Sequence, residues 1–355
     1  MLPKFVRYSL PVLVMWLLSA CTAAAPAATP SPKPIPSLTP LPAATATPTP
    51  TQGPTVTPIG SVTTSDNGHT LTLIWTSEFS VNGALGAPVD VAIDPQGNVY
   101  VSASNIKKFD SQGRFVTLWG GSGVADGKFN LSTGIAVGPQ DNVYIGDFGN
   151  NRIQVFDNTG KFLRKWSTNP LTSPASVGVD AQGDVYVNIF DTDGDHVQKF
   201  DSSGKLVGSW GATGTGDGQF LGRTEDMALD QHGNVYVTDP SNHRIQKFDP
   251  AGKFLAAFGG AESRAGHGLF DQPEGVAVDH EDNIYVADGR FLQKLDANGK
   301  FIAQWSVTAG GDLDTGAFLT MDDQDNIYIL ARKKIIPPGS DQGIDVTVVK
   351  KFSQQ

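Results

Sequence analysis

Between Phe220 and Gly260 the chain reads FLGRTEDMALDQHGNVYVTDPSNHRIQKFDPAGKFLAAFGG, four short apolar runs separated by turn residues. The runs, Met227 to Leu229, Asn234 to Val237, Arg244 to Phe248 and Lys253 to Phe258, are each too short for a helix. They predict one four-stranded antiparallel meander. The tyrosine of the second run recurs at Tyr100, Tyr144, Tyr186, Tyr236, Tyr285 and Tyr328, in steps of 44, 42, 50, 49 and 43 residues. That is the period of propeller blades.

The aromatic residue ending the fourth run recurs at Trp119, Trp166, Trp210, Phe258 and Trp305, behind only five of the six tyrosines. A sixth, Trp75, lies upstream. The last copy stops at its third strand, Val348 to Phe352, while Thr70 to Trp75 is a fourth strand with no first three before it. Joined, the fragments make one blade and pair backbone groups that would be exposed at the seam. The pattern thus predicts an all-β fold, a six-bladed β-propeller over residues 67–355 closed by its N-terminal strand.

Turn chemistry agrees. Gly97-Asn98, Asp141-Asn142, Gly183-Asp184, Gly233-Asn234, Asp282-Asn283 and Asp325-Asn326 precede the second strands, residue types that tolerate positive φ in tight hairpins. Gly113, Gly160, Gly204, Gly252 and Gly299 serve the turn between third and fourth strands, and the sixth copy has none. Small residues on the first strands, Ala92, Ala136, Gly178, Ala228, Ala277 and Thr320, suit the crowded inner end of each blade.

The segments Asn-His-Arg-Ile-Gln-Lys-Phe-Asp at 242–249, Asn-Asn-Arg-Ile-Gln-Val-Phe-Asp at 150–157 and Pro-Glu-Gly-Val-Ala-Val-Asp at 273–279 resemble NHL repeats, as does Gly-Asn-Val-Tyr-Val-Thr-Asp at 233–239. The resemblance spans the folded region and implies the propeller. For function it implies a range, since the family holds protein-binding sensors, RNA readers and lyases. Copies one, three and six lack the Asn-x-Arg of the second-to-third loop. Arg152 and Arg244 are therefore expected to be structural, bonding a neighbouring loop or Asp147 and Asp239.

The N-terminal stretch changes the picture of where the propeller works. Lys4 and Arg7 precede an apolar run from Leu10 to Leu18, too short to span a bilayer comfortably, followed by Leu18-Ser19-Ala20-Cys21. This reads as a signal peptide over residues 1–20 with a bacterial lipobox, Cys21 being the lipidation site. Cys21 is the single cysteine, so the chain has no intramolecular disulfide and no cysteine nucleophile. Eleven prolines and nine threonines fall between Thr22 and Pro58, with no aromatic or acidic residue. Residues 21–66 are accordingly expected to be an Ala/Thr/Pro-rich disordered tether. The expected location is the cell envelope, lipid-anchored on the extracytoplasmic side of a bacterial membrane, as a monomer. The formal charge of −10 becomes −12 once Lys4 and Arg7 are removed. Nucleic acid is a poor partner for such a surface.

Candidate chemistry concentrates on the face formed by second-to-third-strand loops and blade-to-blade links. Just before the first strands stand Asp90, Thr133, Ser176, Glu225, Asp226 and Glu274. They would ring the channel mouth as ligand-binding groups, holding a cation or a basic ligand or supplying a general base. Asp191, Asp193 and Asp195 resemble the start of a calcium loop, although position twelve is Ser202 rather than glutamate. His196, His243 and His267 share this face and are the candidates for zinc; solvated loop positions are the simpler reading of them. His69, His232 and His280 fall on the opposite face. The glycine-rich links Gly120 to Phe129, Gly211 to Phe220 and Gly259 to Phe270 lack the helix and Lys-Ser/Thr of a phosphate loop and read as blade connectors.

The expected function is a membrane-tethered binding or scaffold module that recognises a protein, peptide or glycan through its loop face. The alternative is a metal-dependent lyase or lactonase-like enzyme, with calcium or zinc at the channel mouth. The lipobox carries a direct expectation: growth with a clickable palmitate analogue labels the chain, and Cys21→Ser abolishes the label and releases the protein from the membrane fraction.

Overall fold

The computed structural model describes residues 56–57, 63–80, 89–168, 172–190, 196–260, 268–289, 291–306, 314–335 and 344–354. The chain divides into two units, residues 1–50 and 51–355, and all described residues lie in the second. Cys21 and the signal segment lie outside them. The described residues contain no helix long and apolar enough to cross a membrane.

Six four-stranded antiparallel meanders form the ring, one for each tyrosine. Blade 1 consists of Asp90–Ile93, Val99–Ser102, Asn105–Phe109 and Phe115–Gly120. The first strands of blades 2 to 5 are Ser132–Gly138, Ser173–Val179, Met227–Leu229 and Pro273–Val278. Register is constant around the ring. Ala92, Ala136, Gly178, Ala228, Ala277 and Thr320 lie directly opposite the six blade tyrosines. These small residues line the axial channel, and the tyrosines are buried beside them.

Blade 6 draws on both ends of the folded chain. Its first three strands are Asp314–Met321, Ile327–Ile335 and Ile344–Gln354, and the fourth is His69–Ser80, which pairs with Ile344–Gln354 from Leu71↔Gln354 to Ser80↔Val346. The bulge between third and fourth strands falls at the same place in all six blades, between Lys108 and Phe109 in blade 1 and between Lys351 and Phe352 in blade 6. The N-terminal strand therefore takes the register of any other fourth strand. Structure also begins before Asn67, inside the segment expected as tether. Thr63–Asp66 pairs with the start of that strand through a turn in which Asn67 (φ 49°) and Gly68 (φ 83°) are left-handed. Asp66 accepts a hydrogen bond from Gln304 N at 2.8 Å and Asn67 Nδ2 donates to Ile302 O at 3.0 Å, so the hairpin lies against blade 5.

Two interactions explain the periodic residues. Each fourth-strand aromatic lies on the turn glycine of the next blade, Trp75 on Gly113, Trp119 on Gly160, Trp166 on Gly204, Trp210 on Gly252 and Phe258 on Gly299. At Gly160 an added Cβ would lie 2.5 Å from the Trp119 ring. Trp305 instead meets the N-terminal strand, donating from Nε1 to His69 O at 3.1 Å. The tyrosines are held by aspartates that end the first strands. Tyr100, Tyr186, Tyr236, Tyr285 and Tyr328 donate to Asp94, Asp180, Asp230, Asp279 and Asp322 at 2.9–3.3 Å. Burial and these carboxylates push the Tyr100 and Tyr328 hydroxyls far above their ordinary range. Lys108, Lys199, Lys247, Lys294 and Lys351 from the third strands lie 4.8–5.0 Å from the ring centres.

The aromatic-on-glycine contact yields a comparison. Gly160→Ala combines a left-handed φ of 89° with the indole contact and is expected to cost about 2–4 kcal/mol, a backbone share of about 1 plus an overpacking share. Gly68→Ala has a similar φ with open space around it, and only the backbone share, about 1 kcal/mol, applies. Urea denaturation of the two variants measures the difference.

Candidate functional site

Of the six residues expected at the channel mouth, Asp90, Ser176 and Asp226 face the axial channel, and polar atoms of these three and of Thr133 hold one blade to the next. Asp90 accepts from Val91 N at 2.8 Å within blade 1 and from Ile135 N of blade 2 at 2.9 Å. Thr133 of blade 2 donates to Pro174 O of blade 3 at 2.7 Å. Ser176 of blade 3 donates to Asp226 Oδ1 of blade 4 at 3.2 Å, and Asp226 accepts from Met227 N at 2.8 Å and from Val276 N of blade 5 at 3.1 Å. Asp90 and Asp226 occupy the same position in blades 1 and 4 and fasten the following blade in the same way. Glu225 and Glu274 are half-buried.

Asp90, Ser176 and Asp226 line an axial cavity of about 250 Å³ whose remaining wall is the inner strands. Thr133, Glu225 and Glu274 are not part of that wall. Burial raises the Asp90 carboxyl well above its ordinary range, and the Asp226 charge raises it further. Burial pushes Asp226 up to about 7 against its three hydrogen bonds. Burial also raises Glu225, partly offset by the Arg223 guanidinium 3.0 Å away. The opposite end of the channel opens into a wider cavity of about 490 Å³ bordered by the Asp94, Asp141, Asp180 and Asp322 turns.

The metal candidates do not assemble. Among the described residues no three histidine, cysteine, aspartate or glutamate side chains could hold an ion together. His196 is fully buried, its ring 5.3 Å from that of Phe220, so it is not the solvated loop histidine expected. The imidazole packs beside the blade connector that ends at Phe220. His243 is left-handed (φ 56°) and its Nδ1 lies 2.5 Å from Asp271 O. His267 and the acidic run Asp191, Asp193 and Asp195 lie outside the described residues.

Arg152 and Arg244 are structural, as expected. Arg152 Nε donates to Asp147 at 2.6 Å, and its Nη2 reaches Ala125 O and Lys128 O at 2.9 Å. Gln154 adds bonds to Asp147 and Lys128 O and accepts from Gly127 N. Arg244, Asp239 and Gln246 repeat the arrangement on the next-but-one connector. Each arginine thereby pins a glycine-rich link. In blade 5 Phe291 stands at the arginine position, and Asp288 accepts from Asp271 N and Gln272 N instead.

The NHL repeat family model matches residues 129–156 and 225–248, each containing one arginine staple or the strands leading to it. The chain is an NHL-repeat propeller. No characterised protein matches it at the sequence level. Among solved structures it is similar to a gluconolactonase from Xanthomonas campestris, at 13% identity and TM-score 0.56, over 86% of this chain and 99% of the other. It is likewise similar to a streptogramin B lyase, at 12% identity and TM-score 0.55, over 79% and 97%. A third is virginiamycin B lyase from Staphylococcus aureus, at 10% identity and TM-score 0.53, over 78% and 98%. At such identities the likeness is one of fold.

A feature of this NHL propeller that the sequence did not single out is an apolar band on its loop face. Leu131 is half exposed and its carbonyl accepts from Phe148 N at 3.0 Å. The Phe148 ring meets Phe190 edge-on at 5.4 Å, and the Arg223 guanidinium lies 5.0 Å from the centre of the Phe190 ring. Leu221 is exposed two residues before Arg223. The band thus crosses blades 2, 3 and 4. Leu131 has φ 67°, a conformation unusual for leucine, where blade 4 has Gly222 at φ 69°. Alignment of the connectors after Phe129 and Phe220 would have exposed that mismatch.

The mouth carboxylates set a pH dependence. A carboxyl whose folded pKa lies above its unfolded value keeps a proton that the unfolded chain releases, so its stabilisation is present at low pH and is lost as pH rises. For Asp226 the loss falls between about pH 4 and about pH 7. Thermal melts across that range should show stability falling with pH in the wild type, with a flatter profile in Asp226→Asn.

Proposed function

We propose that the protein is a membrane-tethered, extracytoplasmic binding module whose loop face takes a protein or peptide partner. The observation that carries this reading is the band Leu131, Phe148, Phe190 and Leu221, apolar side chains brought to one face by three different blades. Leu131 strengthens it. An exposed leucine in a left-handed conformation lowers stability where glycine would not, and such strain is retained where a surface has work to do. Anchoring rests on Leu18-Ser19-Ala20-Cys21 and the proline-rich stretch behind it.

A second reading places acid–base chemistry of the lyase or lactonase type at the channel mouth, favoured by Asp90 and Asp226 facing one cavity with raised pKa values. Their hydrogen bonds to neighbouring blades weigh against it, because a group that turns to substrate would release a seam. It also requires an ion. Elemental analysis of the full-length protein showing one equivalent of divalent metal, lost in Asp226→Asn, would replace the binding reading with the enzymatic one.

The binding reading is tested in intact cells by placing a photo-crosslinking amino acid at Phe190 and, as a control on the opposite face, at His232. A discrete adduct at Phe190 alone is expected; equal adducts at both sites, or none at either, would remove the loop face from consideration. Leu131→Gly separates stability from binding. It should leave the fold unchanged or stabilise it by up to about 1 kcal/mol in denaturation, while reducing the Phe190 adduct.

A further inference from the structure

Arg223 differs from the other arginines of the loop face in what surrounds it. Arg152 and Arg244 are buried, and each hydrogen-bonds one strand carboxylate and two connector carbonyls, Arg152 also pairing with Asp126 at 3.6 Å. Arg223 is 42% exposed in its side chain and, among the described residues, has Glu225 as its polar partner, Nη2 to Oε2 at 3.0 Å. The Phe190 ring lies beside the guanidinium as a cation–π partner. The guanidinium is thus held by one carboxylate and one ring, and the side chain stays partly exposed beside the apolar band.

From this arrangement, and resting on the loop-face reading above, we infer that the site recognises a partner segment presenting one carboxylate beside an apolar side chain. Arg223 takes the carboxylate, and Phe190, Phe148 and Leu131 take the apolar group. Guanidinium is the side chain best matched to a carboxylate, and one already in contact with the Phe190 ring and Glu225 has less freedom left to lose on binding. The protein's own charge narrows the partner. At a formal −12 after signal removal, the surface repels polyanions at a distance, whereas one carboxylate in an apolar context meets Arg223 within a screening length of about 8 Å. Glu225 is the internal competitor. It occupies part of the fork in the free protein, and its raised carboxyl pKa eases its withdrawal when another carboxylate arrives.

The test uses the full-length, detergent-solubilised protein and a displayed library of random dodecapeptides as the probe. Wild type should enrich sequences with a single Asp or Glu adjacent to a Leu, Ile, Phe or Met. Synthetic copies of the enriched peptides, blocked at both termini, should lose at least about tenfold in affinity when that acid becomes its amide. Arg223→Gln should erase the acid preference, Arg223→Lys should restore part of it, and Glu225→Gln should tighten binding. Melting temperatures of the variants serve as the folding control. Peptides that enrich and depend on Phe190 but bind equally with the acid or its amide would overturn the carboxylate inference and leave the loop-face reading standing. Absence of enrichment, or enrichment indifferent to both Phe190→Ala and Arg223→Gln, would overturn both.

Discussion

A tyrosine hydroxyl buried in a β-sheet must find an acceptor, and this requirement fixes more of the molecule than any other. In five blades the acceptor is the aspartate that ends the first strand, so a buried ring needs a carboxylate six residues before it. That carboxylate also caps the tight turn, Asp94 for instance accepting from Gln96 N and Asn98 N. A lysine from the third strand then covers the tyrosine face and offsets the buried charge. One hydroxyl thus sets the turn, the register of the inner pair and the identity of a residue on the third strand. Blade 2 shows the rule by departing from it. Gly138 replaces the aspartate and Val155 the lysine, the turn becomes a short 3-10 segment with Gln140 and Asp141 at positive φ, and Arg164 approaches the Tyr144 hydroxyl at 3.4 Å.

Because five of the blades solve this problem within themselves, the contacts between blades are free to differ, and the loop face is where they do. The mouth is stitched by carboxylates at two seams and hydroxyls at two others. The connectors are pinned by arginine in blades 2 and 4 and by direct carboxylate contacts in blade 5. Such variety on a constant frame is how repeat proteins acquire distinct binding surfaces. The band from Leu131 to Arg223 belongs to this variable layer.

The fold was legible because its signals are periodic. A tyrosine, a turn glycine and a terminal aromatic recurring together need no knowledge of tertiary contacts, and the misplaced Trp75 exposed the shared blade by arithmetic alone. The arginine staples were legible because Asp147 and Asp239 lie five residues away on the adjoining strand. The site was less so. Asp90 and Asp226 were recognised as mouth residues, but their bonds to Ile135 N and Val276 N join positions 45 and 50 residues apart and leave no local trace. His196 looked like a surface loop residue because sequence shows a loop's length and not the direction it folds. Phe148, Phe190 and Arg223 come from three blades and share no motif, so only the ring's curvature brings them together.

Blade 6 also has a consequence in time. Leu71, Leu73 and Trp75 are among the first folded residues to leave the ribosome and are almost fully buried in the finished protein. Their strand partner, Ile344–Gln354, is synthesised about 270 residues later, counting from Trp75 to Ile344. At about 5–20 residues per second, the interval is tens of seconds, during which an apolar strand lacks the third-strand neighbour of its own blade. Any chain ending early keeps it bare. The same strand that completes the native ring therefore labels every unfinished copy with an exposed hydrophobic segment at its N-terminal end, the feature that chaperones and proteases use to tell incomplete chains from complete ones.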